Sequence, residues 1–591
     1  MSYSAPVGDI THMLRHVAGL DRLMADGLAP ELDADMLRAI LEEAARFAGD
    51  VIAPLNRVGD RHGTPLKDGA VTMPPGWKEA YSAWAQAGWN ALPGPAASGG
   101  QNLPTLVSSA CVEMWNSASM AFGIGPVLTM GAVEALTAHG SDELKAIYLE
   151  KLVSGEWTGT MNLTEPQAGS DLAALRAKAE PAGDGTYRIT GQKIYITYGE
   201  HDLTGNIVHL VLARLPDAPA GTRGISLFLV PKFLVNPDGS LGRRNDVRCA
   251  GVEHKLGIHG SPTCTMVFGD AGGATGWLIG EENRGLACMF TMMNNARLAV
   301  GLQGVAVAER AFQQALAYAG ERRQGRAPGW QGDAMSPIIA HPDVRRMLMT
   351  MKAMTGAARA ICYMTAEAID RAHREPDAAA RKRAHDRASL LTPVAKAFST
   401  DIGIEVASLG VQVHGGMGYV EETGAAQHLR DARIAAIYEG TNGIQAIDLV
   451  MRKLPLAGGE TLGQQIAAMR RTAARLVNAG PDFGHCASLL RDGIERLDRT
   501  SAWMLREIAG NRTEDALAGA TPYLRLFALA QGGAALAEAA LAGDDADPAR
   551  AGRVALARFF VENLVPETAG LETAVTLGAA SVHDAALALA S

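Results

Sequence analysis

Apolar residues recur with a helical period over residues 9–152, as in Met36, Leu37, Ile40, Leu41, Ala45 and Phe47, and again around Ala132, Val133 and Leu136. Proline and glycine break the pattern between these stretches, so the spacing predicts an all-α domain over residues 1–156. From 157 to 281 the pattern changes to short β-branched and aromatic runs at 187–190, 194–197, 207–212, 225–230 and 263–268, separated by Gly, Pro and Asp. Several half-buried short strands need two packed faces, which predicts a small β-barrel or sandwich.

The helical period returns over residues 282–453. Leu298, Leu302, Val305, Phe312 and Leu316 form one stripe of a long helix, and further helices are expected at 344–369, 388–409 and 444–451. These predict a four-helix-bundle domain whose interior can supply residues to a bound cofactor. The break Lys453-Leu454-Pro455-Leu456-Ala457-Gly458-Gly459 reads as a linker to an Ala- and Leu-rich helical domain at 460–591. Inside it the stretch 543–548 interrupts the period and separates two helices. The chain is therefore expected to be mainly α with a central β domain and an extra helical tail domain.

A chain of 591 residues exceeds what one core usually serves, and 48% hydrophobic with 20% charged residues suits a soluble globular protein. The formal charge of −9 and pI near 6.0 argue against broad capture of nucleic acid. Local cations such as Lys232, Arg243 and Arg244 can still meet phosphates, or form an ordinary solvated basic loop. Cys111, Cys249, Cys264, Cys288, Cys362 and Cys486 show no CxxC spacing, so neither a metal site nor a disulfide scaffold is suggested. The N-terminus lacks a basic flank with an apolar core, and no run approaches the ~18 apolar residues of a membrane span. A cytoplasmic protein is expected.

The chemistry centres on Ile437-Tyr438-Glu439-Gly440-Thr441. A carboxylate set among apolar residues loses solvation on folding, which raises its pKa toward the range useful for proton abstraction. A helix-capping or surface Glu is the alternative. Upstream lie Met161-Asn162-Leu163-Thr164-Glu165-Pro166-Gln167-Ala168-Gly169-Ser170-Asp171, Lys193-Ile194-Tyr195-Ile196-Thr197, Lys255-Leu256-Gly257-Ile258-His259-Gly260-Ser261 and Gln412-Val413-His414-Gly415-Gly416. In that order these motifs resemble the acyl-CoA dehydrogenase family, over roughly residues 30–450.

The resemblance implies an FAD-dependent enzyme that forms a trans-2-enoyl thioester from an acyl-CoA. Glu439 would take the α-proton and flavin N5 the β-hydride. It places the flavin against Met161, Leu163, Thr164, Gly169, Ser170, Tyr195, Ile196, Thr197 and Thr441, with Arg322, Gln412, Gly415 and Gly416 reaching it across a dimer interface. An aromatic ring at Tyr195, where relatives commonly carry Trp, is expected to pack there. Ser170, Asn294, Arg297, Arg244 and Gly440 would meet the acyl-CoA. For Thr164 and Ser170 the alternative is a capped turn, and for Asn294 or Asn295 an N-cap of the long helix. Asn442 and Gly443 stand where relatives often carry Ser-Gln, and the Phe expected after Arg322 is missing. The loop at 92–104 resembles the family's GG-rich loop at the acyl-chain entrance, or is an ordinary interhelical loop.

The tail domain resembles that of larger members, including very-long-chain and bacterial 3-methylmercaptopropionyl-CoA dehydrogenases. That points to 3-methylthiopropionyl-CoA or a short- or medium-chain acyl-CoA as substrate, and to an electron-transferring flavoprotein as acceptor. An O₂-using oxidase and a DNA-associated flavoprotein of the same fold are the alternatives.

Overall fold

The computed structural model describes residues 3–332, 334–543 and 547–590. Asp33 opens the first long helix, α1 (Ala34–Phe47), by accepting a hydrogen bond from the Met36 N–H at 2.8 Å. With α2 (Thr105–Ala118) and α3 (Met120–His139) it encloses a cluster of Trp77, Trp84, Trp115 and Phe122. The Trp84 and Trp115 ring centroids lie 4.1 Å apart, edge to face.

The middle domain is one bent sheet of strands β1 (Thr158–Asn162), β2 (Lys178–Pro181), β3 (Tyr187–Thr197), β4 (Ile207–Ala213), β5 (Ser226–Pro231), β6 (Val247–Val252), β7 (Thr263–Phe268) and β8 (Ala274–Ile279). Their order is β6-β7-β3-β8-β5-β4-β1, with β2 also on β3. The two runs expected at 187–190 and 194–197 form a single strand. Its first half pairs with β2 and β8 and its second half with β7. The register against β7 slips where Ile194 and Tyr195 face Thr265 alone, and Tyr195 takes φ +60° in this bulge.

Three helices form the next layer: α4 (Gly285–Glu321), α5 (Pro342–Arg374) and α6 (Ala378–His414). The backbones of α4 and α6 nearly touch. A β-carbon at Gly304 would fall 2.1 Å from the Ser399 carbonyl oxygen, so only glycine allows this approach. The predicted stripe Leu298, Leu302, Val305 and Phe312 is buried, whereas Leu316 at its end is 39% exposed. Arg359 of α5, almost fully buried, pairs with Glu113 of α2 at 2.7 Å and Glu309 of α4 at 2.8 Å, tying the first and third domains together.

The segment 255–261 locks the β domain onto both helical layers. The Ile258 N–H donates to Asp431 at 2.6 Å, a β-carbon at Gly257 would strike the Arg430 carbonyl, and Gly260 lies against Trp77. Beyond left-handed Ala457, Gly458 and Gly459, four long helices α8 (Glu460–Leu476), α9 (Cys486–Ala509), α10 (Ala520–Leu541) and α11 (Arg550–Asn563) build the tail domain. The expected break between helices falls between α10 and α11, and residues 544–546 lie outside the described ones.

One expectation is corrected here. By length and composition helices α3 and α10 are long and apolar enough to cross a membrane, where the sequence pattern leads one to expect no such run. Both are mostly buried in the packing, where an all-round apolar helix is what a large core requires. All six cysteines are buried free thiols.

Candidate active site

The turn carrying Glu439 is held by its carbonyls. Glu439 takes φ +54° and Gly440 φ +82°, and the side chain of buried Gln445 donates to both of their carbonyl oxygens, at 3.3 and 3.2 Å. Thr441 then caps α7 (Asn442–Asp448), its hydroxyl oxygen accepting from the Ile444 N–H at 3.3 Å. Its hydroxyl proton is left free to donate elsewhere. The Tyr438 hydroxyl donates to Gln303 of α4. Among the described residues the Glu439 N–H meets no backbone carbonyl.

Burial raises the Glu439 carboxyl above the ordinary carboxylate range, while Arg297 and then Lys396 draw it back. Arg297 of α4 lies under the turn, its Nη2 4.0 Å from where a Gly440 β-carbon would sit, and its Nη1 donates to Asp448 at 3.2 Å. Lys396 of α6 is fully buried and donates to Asn442 at 2.8 Å. Sequence reasoning missed Lys396, Gln303 and the role of Asn442. The available signal was a lone lysine in the apolar helical run Val394-Ala395-Lys396-Ala397-Phe398.

Residues 161–171 form a second loop. Glu165 and Ala168 exchange backbone hydrogen bonds across its tip. Inside the loop the Glu165 carboxylate meets fully buried Lys193 at 2.8 Å and accepts from the Arg176 and Ala177 N–H groups. Burial pushes the Glu165 carboxyl up, but Lys193 and the two N–H groups outweigh it and hold it below the ordinary range. Lys193 also donates to the Leu163 carbonyl at 3.0 Å, and the Ile194 N–H to that of Thr164 at 2.9 Å. The loop is thereby fastened to β3, so Met161, Leu163, Thr164, Ser170, Tyr195 and Thr197 share one region. Asp171, accepting from the Ala173 N–H at 2.9 Å, supplies the turn cap, which leaves Ser170 exposed and unused as a cap.

One expectation, that for Asn294 and Asn295, is corrected. The Ile196 side chain is 3% exposed and belongs to the core, which leaves its backbone to face a ligand. Tyr195, at φ +60° in the bulge, is 60% exposed. Asn294 and Asn295 do not precede or cap the long helix, which begins at Gly285. Asn295 instead donates to Glu134 of α3 at 2.8 Å.

That pair lies in a cavity of about 600 Å³ between α2, α3 and α4. Pro93, Gly94, Pro95, Asn102 and Leu103 of the 92–104 loop line it, as do Met161, Leu298 and Leu302. Burial lifts the Glu134 carboxyl to about 7. Arg244 and Lys232 gather elsewhere, both around buried Glu200, so a phosphate would have to compete with an existing carboxylate.

At the far ends of α4 and α6, Tyr318 stacks on His414 with centroids 4.4 Å apart. Arg322, Gln412, Gly415 and Gly416, which flank this stack in the chain, are exposed. Gly169, Gly415 and Gly416 have open space where a β-carbon would stand. Open glycines, hydroxyls at Thr164, Ser170, Thr197 and Thr441, and a guanidinium are a donor set suited to a dinucleotide with an uncharged ring system.

The fold is that of the acyl-CoA dehydrogenases, and the chain belongs to that family. Its N-terminal, middle and C-terminal domain profiles match residues 34–156, 160–271 and 283–454, and the profile described as acetyl-CoA dehydrogenase C-terminal like matches 464–586. The chain is 47% identical to 3-methylmercaptopropionyl-CoA dehydrogenase of Ruegeria pomeroyi, over 98% of each chain. It is 34% identical to butyryl-CoA dehydrogenase of Syntrophomonas wolfei, over 99% of this chain and 98% of that one. Among solved structures, an acyl-CoA dehydrogenase complexed with FAD from Bacillus anthracis superposes with a TM-score of 0.73 at 21% identity, covering 93% of this chain and 89% of that one.

Proposed function

We propose that this acyl-CoA dehydrogenase oxidises the Cα–Cβ bond of a short acyl-CoA to the trans-2-enoyl thioester, with Glu439 as the base and 3-methylthiopropionyl-CoA as the first substrate to try. One observation carries the reading: a carboxylate weakened as an acid by burial sits on a turn whose neighbouring N–H meets no backbone carbonyl. The carboxylate removes the α-proton, and the Glu439 N–H polarises the thioester carbonyl as negative charge grows on its oxygen. Bound FAD supplies the two-electron acceptor for the β-hydride.

Thr164, Ser170, Thr197 and Thr441 would hold the flavin ring and its phosphates, with Gly169 giving close approach. Arg322, Gln412, Gly415 and Gly416 lie on the surface of one chain, which supports a homodimer in which they complete the partner's cofactor site. The cavity beside Met161 would receive the acyl chain. Substrate choice leans on the relative that is 47% identical over nearly the whole chain. An electron-transferring flavoprotein is the proposed acceptor.

The test is anaerobic bleaching of the flavin absorbance by a panel containing 3-methylthiopropionyl-CoA and butyryl-CoA, with wild-type protein and Glu439→Gln. The wild type is expected to bleach fastest with the thioether substrate, and the variant to keep its flavin without bleaching. A fully loaded wild-type protein that bleaches with no member of the panel would sink the dehydrogenation reading. Rapid oxygen consumption without an added acceptor would replace it by an oxidase.

A further inference from the structure

Beneath the Glu439 turn, a buried ammonium is fixed in place by a side chain of the turn itself. Lys396 sits in the apolar middle of α6 with no exposed surface, and its Nζ donates to Asn442 Oδ1 at 2.8 Å. The Asn442 amide in turn donates to Asp401 Oδ1 at 2.7 Å and to Thr400 Oγ1 at 3.0 Å. Asn442 therefore bridges cation and anion while opening the helix that follows Glu439. The Lys396–Asn442 hydrogen bond fixes where the buried ammonium sits.

We propose that Lys396, aimed by Asn442, is a positioning residue that sets the strength of Glu439 as a base. The inference rests on the reading of Glu439 as the base. Several charges surround the pair. Arg297 faces Glu439 from α4 and is held by Asp448, which also takes Arg452 at 2.5 Å, with Lys453 nearby. Asp401 faces Lys396 and is itself near Glu405 and Arg525 of α10. Tyr438 adjoins the carboxyl from its own turn. Of these, Arg297 is hydrogen-bonded to the Asp448 carboxylate, whereas the direct partner of Lys396 is the neutral Asn442 amide, with Asp401 behind it.

The sign follows from burial. Desolvation pushes Lys396 down to about 7, against the pull of Asp401 and Glu439. Below that pH the ammonium is charged and favours the Glu439 carboxylate; above it the charge fades. Lys396 thus extends proton abstraction to lower pH than Glu439 would reach alone.

The experiment uses flavin-loaded protein and reads the initial bleaching rate with 3-methylthiopropionyl-CoA, or whichever panel thioester bleaches the wild type, from pH 5 to 9. A second readout is the infrared carboxylic-acid band that disappears in Glu439→Gln, titrated over the same range. In Lys396→Met both midpoints should move up by about one unit, the loss of a nearby opposite charge being worth roughly that much. The rate one unit below the wild-type midpoint should fall about tenfold while the alkaline plateau is kept. Asn442→Ser should move them the same way by less.

Unmoved midpoints in flavin-retaining Lys396→Met overturn the proposal. If that variant loses flavin, unmoved midpoints in Asn442→Ser do so. A Glu439→Gln protein that still bleaches removes the base assignment instead, which separates the two failures.

Discussion

Two glutamates, Glu165 and Glu439, each sit in a motif-bearing loop, yet their surroundings push them in opposite directions. Glu165 is saturated: a buried ammonium at 2.8 Å and two backbone N–H donors hold it ionised and fasten the loop to β3. Glu439 has its cations at a remove, and burial weakens it as an acid. A carboxylate whose lone pairs are all engaged is a structural anchor. One without a side-chain hydrogen bond among the described residues, on a turn strained to φ +54°, is available for chemistry.

Substitution separates the two most sharply in activity. Glu439→Gln should lower the dehydrogenation rate by about 10²–10⁴-fold while leaving the unfolding free energy unchanged or slightly raised. Urea denaturation alongside the bleaching assay reads both; a large loss of stability would place Glu439 with the anchors.

Glu165→Ala should do the reverse. It strands Lys193 in the interior, at a cost of about 3–5 kcal/mol, seen as a lower denaturation midpoint and loss of flavin. A variant as stable as wild type would show that the ion pair is dispensable.

The two carboxyls should also differ in how stability depends on pH. Glu165 lies below the ordinary range in the folded chain, so its contribution is present above the unfolded value and lost as pH falls through the folded one. Glu439 lies above that range, so the folded state loses stability as pH rises from the unfolded to the folded value. The stability advantage of Glu439→Gln over wild type should therefore grow from pH 4 to 8, and an advantage that shrinks with pH would reverse the assignment.

Smaller effects sharpen the comparison. Gly440→Ala adds a β-carbon 2.7 Å from the Gln445 amide at φ +82°, a strain of about 1–2 kcal/mol, and should displace the Glu439 N–H. A fall in bleaching rate beyond what the stability loss explains is expected. Asp171→Ala removes only the cap of residues 172–174, about 0.5–1 kcal/mol, detectable as faster amide exchange there with flavin affinity little changed.

Much of this was legible in the chain. Period-2 and period-3.6 patterns located the β domain and the long helices, and the motif around Glu439 marked a candidate base, because these signals are carried by neighbours in sequence. Boundaries were less legible. The start of α4 at Gly285 lies well before the stripe that reveals it, so Asn294 and Asn295 sit inside the helix and the alternative of an N-cap there fails. Strand β3 is one element because it serves two sets of partners, which its own residues do not show.

What the sequence alone determined is therefore the layer order, the family and the identity of the candidate base. Tertiary structure decided which charges meet: Lys193 with Glu165, Arg297 with Asp448, and Lys396 with Asn442. The reason is electrostatic. A carboxylate responds to charges close in space and to the water removed around it. Both are set by how β3 and helices α4, α6 and α7 pack, with partners that stand up to 151 residues apart along the chain.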